Sequence, residues 1–193
     1  MSTDTPDASA SDGPSRSELQ AQLDDLQEEL NDLQSEVDDG GPKKMVIVAT
    51  KGTLDMAYPP LILASTAAAF GWDVTVFHTF WALDVLHEEQ SKDLKLSAVG
   101  NPSMPMPNAI AAMPFMDSMA TKMMKRKLDE EGTATVEELI DMGLDQGVEF
   151  QACQMTIDLL DYDEDAFYDG VTVGVGAATA LQDMADADIQ LLV

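Results

Sequence analysis

The chain has 193 residues, 45% of them hydrophobic, which gives room for one buried core and an appendage. Thirty-six acidic residues against ten basic ones leave a net charge of −26. Such a surface repels phosphate backbones and excludes a nucleic-acid partner, which needs clustered Lys and Arg. Molar salt shortens the Debye length to about 3 Å and screens self-repulsion of this kind. The composition therefore predicts a halophile's protein. The N-terminus is polar and acidic, unlike a signal peptide. No apolar run reaches the roughly 20 residues of a membrane span. Residues 61–70 are too short, and 110–124 are broken by Pro114, Asp117 and Lys122. Association with a membrane surface stays open. A single cysteine fits a reducing cytoplasm.

Residues 1–16 are Ser, Thr, Asp, Pro and Gly with little to bury, and are expected to form a disordered acidic tail. A heptad seam then begins at Leu19 and continues through Leu23, Leu26, Leu30, Leu33 and Val37, with spacings of 4, 3, 4, 3 and 4. Ser17 can cap this helix, and Gly40-Gly41-Pro42 ends it. A helix this short is marginal alone in water. Residues 17–39 are therefore predicted to be a coiled-coil helix that pairs with copies of itself. Packing back on its own domain is the plainer alternative.

From Lys43 the pattern alternates between strand and helix. Met45–Thr50 is an apolar, β-branched run of the buried-strand type. A turn at Lys51-Gly52-Thr53 leads to a helix over Asp55–Phe70. Pro59 and Pro60 would suit its first turn, and Gly71 its end. Val74–His78 reads as a second strand, followed by a short helix near Trp81–His87. Residues 91–111 form a long loop containing Pro102, Pro105 and Pro107. Further helices are predicted over Pro114–Leu128 and Thr135–Leu144, the latter opened by the capping pair Thr135 and Glu138. A strand then runs into Cys153 and a helix leaves it. Val171–Val173 is extended, Ala177–Ala185 helical and Ile189–Val193 a final strand. Residues 43–193 thus predict an α/β three-layer sandwich on a mainly parallel sheet, flavodoxin-like or Rossmann-like.

Cys153 is the only cysteine. A thiol at a strand-to-helix junction faces the free N–H groups of the first helical turn, here around Gln154, Met155 and Thr156, and these favour the thiolate. The plainer reading is a buried, inert side chain. In open α/β sheets ligands bind beyond the carboxyl ends of the strands. Lys51, Gly52 and Thr53, then His78 and Thr79, and then Cys153 all lie at such ends. Their convergence would place an ammonium, backbone amides and an imidazole near a thiol suited to anionic sulfur. Taken singly, Lys51 reads as a solvated turn lysine and His78 as a core histidine. The loop Gly100-Asn101-Pro102-Ser103-Met104-Pro105-Met106-Pro107 carries soft side chains on a stiff strip and would wall that crevice. Thioether plus thiolate also forms a Cu(I) ligand set, a lesser alternative. Lys122, Lys125, Arg126 and Lys127 complement a helix C-terminus. Gly174-Val175-Gly176 lacks a full phosphate-loop fingerprint and reads as close strand–helix packing. No zinc spacing or nucleophile elbow occurs.

Four segments together resemble one family. They are Met-Val-Ile-Val-Ala-Thr-Lys-Gly-Thr-Leu-Asp from Met45, Phe-His-Thr-Phe-Trp-Ala-Leu from Phe77, the Met-Pro loop, and Ala-Cys-Gln-Met-Thr-Ile-Asp-Leu from Ala152. They are similar to the DsrE/DsrF-like superfamily and closest to its DsrE2 branch, often labelled a peroxiredoxin family; with the charge, this suggests a halophilic archaeon's protein. The resemblance spans about residues 44–193. It implies a DsrE-like fold, oligomers, no cofactor, and a persulfide or thiosulfonate carried on Cys153 between donor and acceptor proteins. Lys51, Gly52, Thr53, His78, Asn101, Met104, Met106, Gln154, Met155 and Thr156 would surround it. A sulfur carrier is thus expected, sulfurtransferase-like in its step. The rival is an oligomeric interaction protein with an inert cysteine. Peroxidase chemistry is not supported, because Phe150 stands where a peroxidatic motif has Thr and no resolving cysteine exists.

Overall fold

The structure, a computed structural model, describes residues 19, 20, 22, 23, 25–28, 41–97 and 116–193. The chain divides into two units, residues 1–41 and 42–193. In the first, the described residues are helical, and Leu19, Leu23 and Leu26 are exposed. The tail at 1–16 and the seam positions Leu30, Leu33 and Val37 lie outside the described residues, as do Asn101, Met104 and Met106.

The second unit is built on five parallel strands: β1 (Lys44–Ala49), β2 (Asp73–His78), β3 (Glu149–Cys153), β4 (Thr172–Val175) and β5 (Ile189–Leu192). Their order is β4-β3-β2-β1-β5. β1 lies inside the sheet, between β2 and β5, and its Val46, Ile47 and Ala49 are buried, as a doubly covered parallel strand requires. The helices are α1 (Leu54–Ala69), α2 (Leu83–Leu86), α3 (Met116–Glu130), α4 (Val136–Asp145), α5 (Gln154–Leu160) and α6 (Ala177–Ala185). The chain moves stepwise from β1 to β4 and then crosses back to β5. Right-handed crossovers send helices to the opposite face when the direction of travel reverses. Accordingly α1 packs with α4 on one face, where Gly143 lies against the Phe150 ring, while Asp183 of α6 meets Gln151 on the other. Phe150 and Gln151 are neighbours in β3, and strand alternation gives them opposite faces.

The α4 capping box forms in full: Glu138 N–H donates to Thr135 Oγ1 at 3.2 Å, and Thr135 N–H donates to Glu138 Oε2 at 2.8 Å. Gly71 ends the α1 turn with φ +79°. One local expectation needs correction. Pro59 and Pro60 sit beyond the first turn of α1, because that helix begins at Leu54. Each removes one N–H from the ladder, yet Pro60 is buried in the core and its packing holds the helix continuous. The segment after β2 begins with a 3₁₀ turn at Phe80–Ala82 before α2, and β4 extends to Val175, two residues beyond the predicted run. Gly176 has open space around its Cα, so close packing does not explain it; it occupies the α6 N-cap.

Candidate functional site

Cys153 is the last residue of β3 and the N-cap of α5, so the strand delivers it to the carboxyl edge of the sheet. β3 pairs with β2 in a register that sets Ala152 opposite His78. One residue further on, Thr79 therefore stands level with Cys153. The thiol is only 3% exposed. Burial pushes it up. Hydrogen bonds from the hydroxyls of Thr156 and Thr79 and from the N–H groups of Thr156 and Met155 push it down and prevail, so it lies below the ordinary thiol range. The arrangement favours a thiolate held in a dry site, because each of these groups offers a donor to negative sulfur.

Thr156 is the hub. Its Oγ1 accepts the Phe80 N–H at 3.1 Å and lies 3.2 Å from Thr79 Oγ1. With the Phe80 bond filling an acceptor position, the single Thr156 hydroxyl proton remains available to the sulfur. Phe80 pays no helical or glycine advantage here: it is an aromatic residue at φ +51°, a conformation bulky side chains rarely adopt. Phe80 is nevertheless 48% exposed.

The predicted convergence occurs only in part. Met155 and Thr156 meet Cys153 through their N–H groups, and Thr156 also through its hydroxyl. Gln154 turns aside, its Nε2 donating to Asp158 at 2.9 Å and Glu164 at 3.4 Å. Lys51, Gly52 and Thr53 line a separate cavity of about 520 Å³ with Asp55, Met56, Trp81, Asp84 and Ser97. Gly52 is required there, since a Cβ would lie 1.9 Å from the Trp81 carbonyl oxygen. His78 belongs to the core. It is fully buried, its ring is 6.0 Å from that of Phe150, and its Nδ1 lies 3.3 Å from the Val76 carbonyl. Its register partner is Ala152, whose side chain and that of Cys153 take opposite faces. Desolvation holds the His78 imidazole down at about 4, the Val76 bond offsetting part of the effect. Thr79 and Phe80 belong among the groups that shape the site; the signal for them was their place directly after β2.

Comparison with known proteins places the chain in a family. The sequence profile of the DsrE/DsrF/DrsH-like family matches residues 41–192. The chain belongs to that family. The heptad segment lies outside the match. Among family relatives, the chain is similar to the sulfur carrier protein DsrE2 of Allochromatium vinosum, 44% identical over 159 residues, covering 78% of this chain and 98% of that one. It is also similar to the uncharacterized protein YrkE of Bacillus subtilis, 32% identical over 157 residues, covering 78% and 97%. The crystal structure of the YchN protein from E. coli aligns with a TM-score of 0.47 at 14% identity, covering 78% of this chain and 99% of that one. Among the described residues no helix is long and apolar enough to cross a membrane, and no cluster of three His, Cys, Asp or Glu could hold a metal ion.

Proposed function

We propose that the protein is a sulfur carrier that accepts sulfane sulfur on Cys153 and passes it to a partner thiol. The observation that carries this reading is the Cys153 environment: a buried thiol with four hydrogen-bond donors and a lowered pKa. An inert core cysteine has no use for such donors, whereas a thiolate or persulfide anion needs them. The 44% identity to a sulfur carrier supports the same reading. In the loading step the thiolate attacks the outer sulfur of a polysulfide. A bond forms between Cys153 and that sulfur, and the donor's S–S bond breaks to leave a shorter polysulfide. Thr156, Thr79 and the first N–H groups of α5 then hold the charge of the persulfide. His78 faces the core and takes no part in this step, and Lys51 lines a different cavity.

The carrier would work in a reducing cytoplasm, with its acidic surface screened by salt. The exposed Leu19, Leu23 and Leu26 support self-association through the heptad seam. Cyanolysis tests the proposal. Protein treated with polysulfide and freed of excess donor should release one thiocyanate per chain, and Cys153→Ser none. Equal release from both proteins, or none from either, would leave the interaction protein with an inert cysteine as the better account.

A further inference from the structure

The described chain leaves four large apolar side chains exposed on the two segments that enclose Cys153: Phe80 at 48%, Trp81 at 61%, Met155 at 61% and Leu159 at 63%. Met155 and Leu159 are four residues apart on α5 and share its outward face. Phe80 and Trp81 start the turn after β2, tied to α5 by the bond from Phe80 N–H to Thr156 Oγ1. Phe80 moreover sits in left-handed backbone space, a strain that persists only where surrounding structure imposes it and that gathers at working sites. The flank of this apolar group is acidic. Asp158, Asp161, Asp163, Glu164 and Asp165 are all exposed, and the Gln154 amide ties Asp158 and Glu164 beside the strand end that carries Cys153.

We infer that Phe80, Trp81, Met155 and Leu159 form the docking surface for the protein that takes the sulfur, and that this partner presents its thiol on an apolar segment with a basic rim. The inference rests on the carrier reading and names the partner's chemistry. Apolar contact supplies affinity at the centre, where water is excluded, and the acidic flank selects and steers a basic rim. The low exposure of Cys153 adds a shape requirement: the acceptor thiol must stand on a narrow segment that can reach a nearly buried sulfur. In the transfer, the partner's thiolate, its proton already lost to solvent, attacks the outer sulfur of the Cys153 persulfide. The new S–S bond forms on the partner, the bond to Cys153 breaks, and Cys153 departs as the thiolate that Thr156 and Thr79 hold.

The full chain, loaded with polysulfide and freed of donor, is mixed with one of three short synthetic peptides, each with a single cysteine. The first has Leu beside the cysteine and four Lys outside, the second has Glu for Lys, and the third keeps Lys but has Ser for Leu. The first should take sulfur at least tenfold faster than either other. Raising salt from 0.2 to 2 M should shrink its lead over the second and spare its lead over the third. In a Phe80→Gly/Leu159→Gln double variant the lead over the third should fall towards one. Glycine suits the φ of residue 80 and keeps its N–H, and Leu159 lies on the surface, so the variant should fold. Ratios between peptides cancel any change in loading. Equal rates, no transfer from loaded protein, or a lead that survives in the double variant would overturn the inference. So would conversion of the double variant to a smaller oligomer by light scattering, which would make a second copy the occupant. Failure of the wild type to load, read before any peptide is added, would instead refute the carrier reading.

Discussion

Protonating His78 should cost this fold a measurable part of its stability. The imidazole is fully buried, its Nε2 has no hydrogen-bond partner among the described residues, and burial holds it at about 4 against the usual 6.5. The unfolded chain therefore binds a proton between pH 6.5 and 4 that the folded chain does not. A group of this kind leaves stability intact above 6.5 and removes it as pH falls towards 4. The linkage integral over those two values gives a loss of about 2 kcal/mol between pH 7 and pH 5, and about 3 kcal/mol by pH 4. Urea unfolding at fixed ionic strength measures it. The many carboxylates also titrate near the lower limit, so the quantity to compare is wild type minus His78→Leu at each pH. Leu is close in volume and loses the Val76 contact and the ring contact with Phe150, losses that do not depend on pH in this range. The difference should shift by about 2 kcal/mol in favour of the variant between pH 7 and 5. A constant difference, or an imidazole titrating near 6.5 by NMR, would refute the argument from burial.

Other substitutions probe the site and its scaffold. Thr156→Val removes a hydroxyl donor to sulfur and the acceptor for Phe80 N–H; the pH midpoint of Cys153 alkylation by iodoacetamide, expected below the ordinary thiol range in the wild type, should rise. Gly52→Ala forces a methyl group against the Trp81 carbonyl and should lower stability by about 2 kcal/mol in urea unfolding, with Trp fluorescence displaced. Tyr162→Phe removes the hydroxyl that donates to Asp84 Oδ1 at 2.6 Å, a bond that joins the turn after α5 to α2. The loss should be about 1 to 2 kcal/mol, again by urea unfolding.

Much of this architecture is local and so can be read from the chain. The apolar runs ending at Ala49 and Cys153, the Thr135 and Glu138 capping pair, and the Gly71 stop each declare an element within a few residues. The strand order is different. Nothing near Ile189–Leu192 says that it returns to pair with β1, because that choice depends on which edge remains open once β2, β3 and β4 have added on the other side. The same distance effect governs the site. Met155 and Thr156 adjoin Cys153 in sequence and were legible. Thr79 meets it only through the β2–β3 register. His78 shows how a strand-end position can mislead, since one residue decides whether a side chain faces the core or the thiol. Pro59 and Pro60 lie past the first helical turn because burial of Pro60 in the core overrides proline's local preference.

Intact-protein mass spectrometry after treatment with polysulfide, thiosulfate or tetrathionate in high salt tests the central claim most directly. The account predicts a gain of one or more sulfur atoms, or of a thiosulfonate, reversed by dithiothreitol, present in the wild type and absent from Cys153→Ser. A folded wild-type protein that gains no mass with any of the three donors would contradict it.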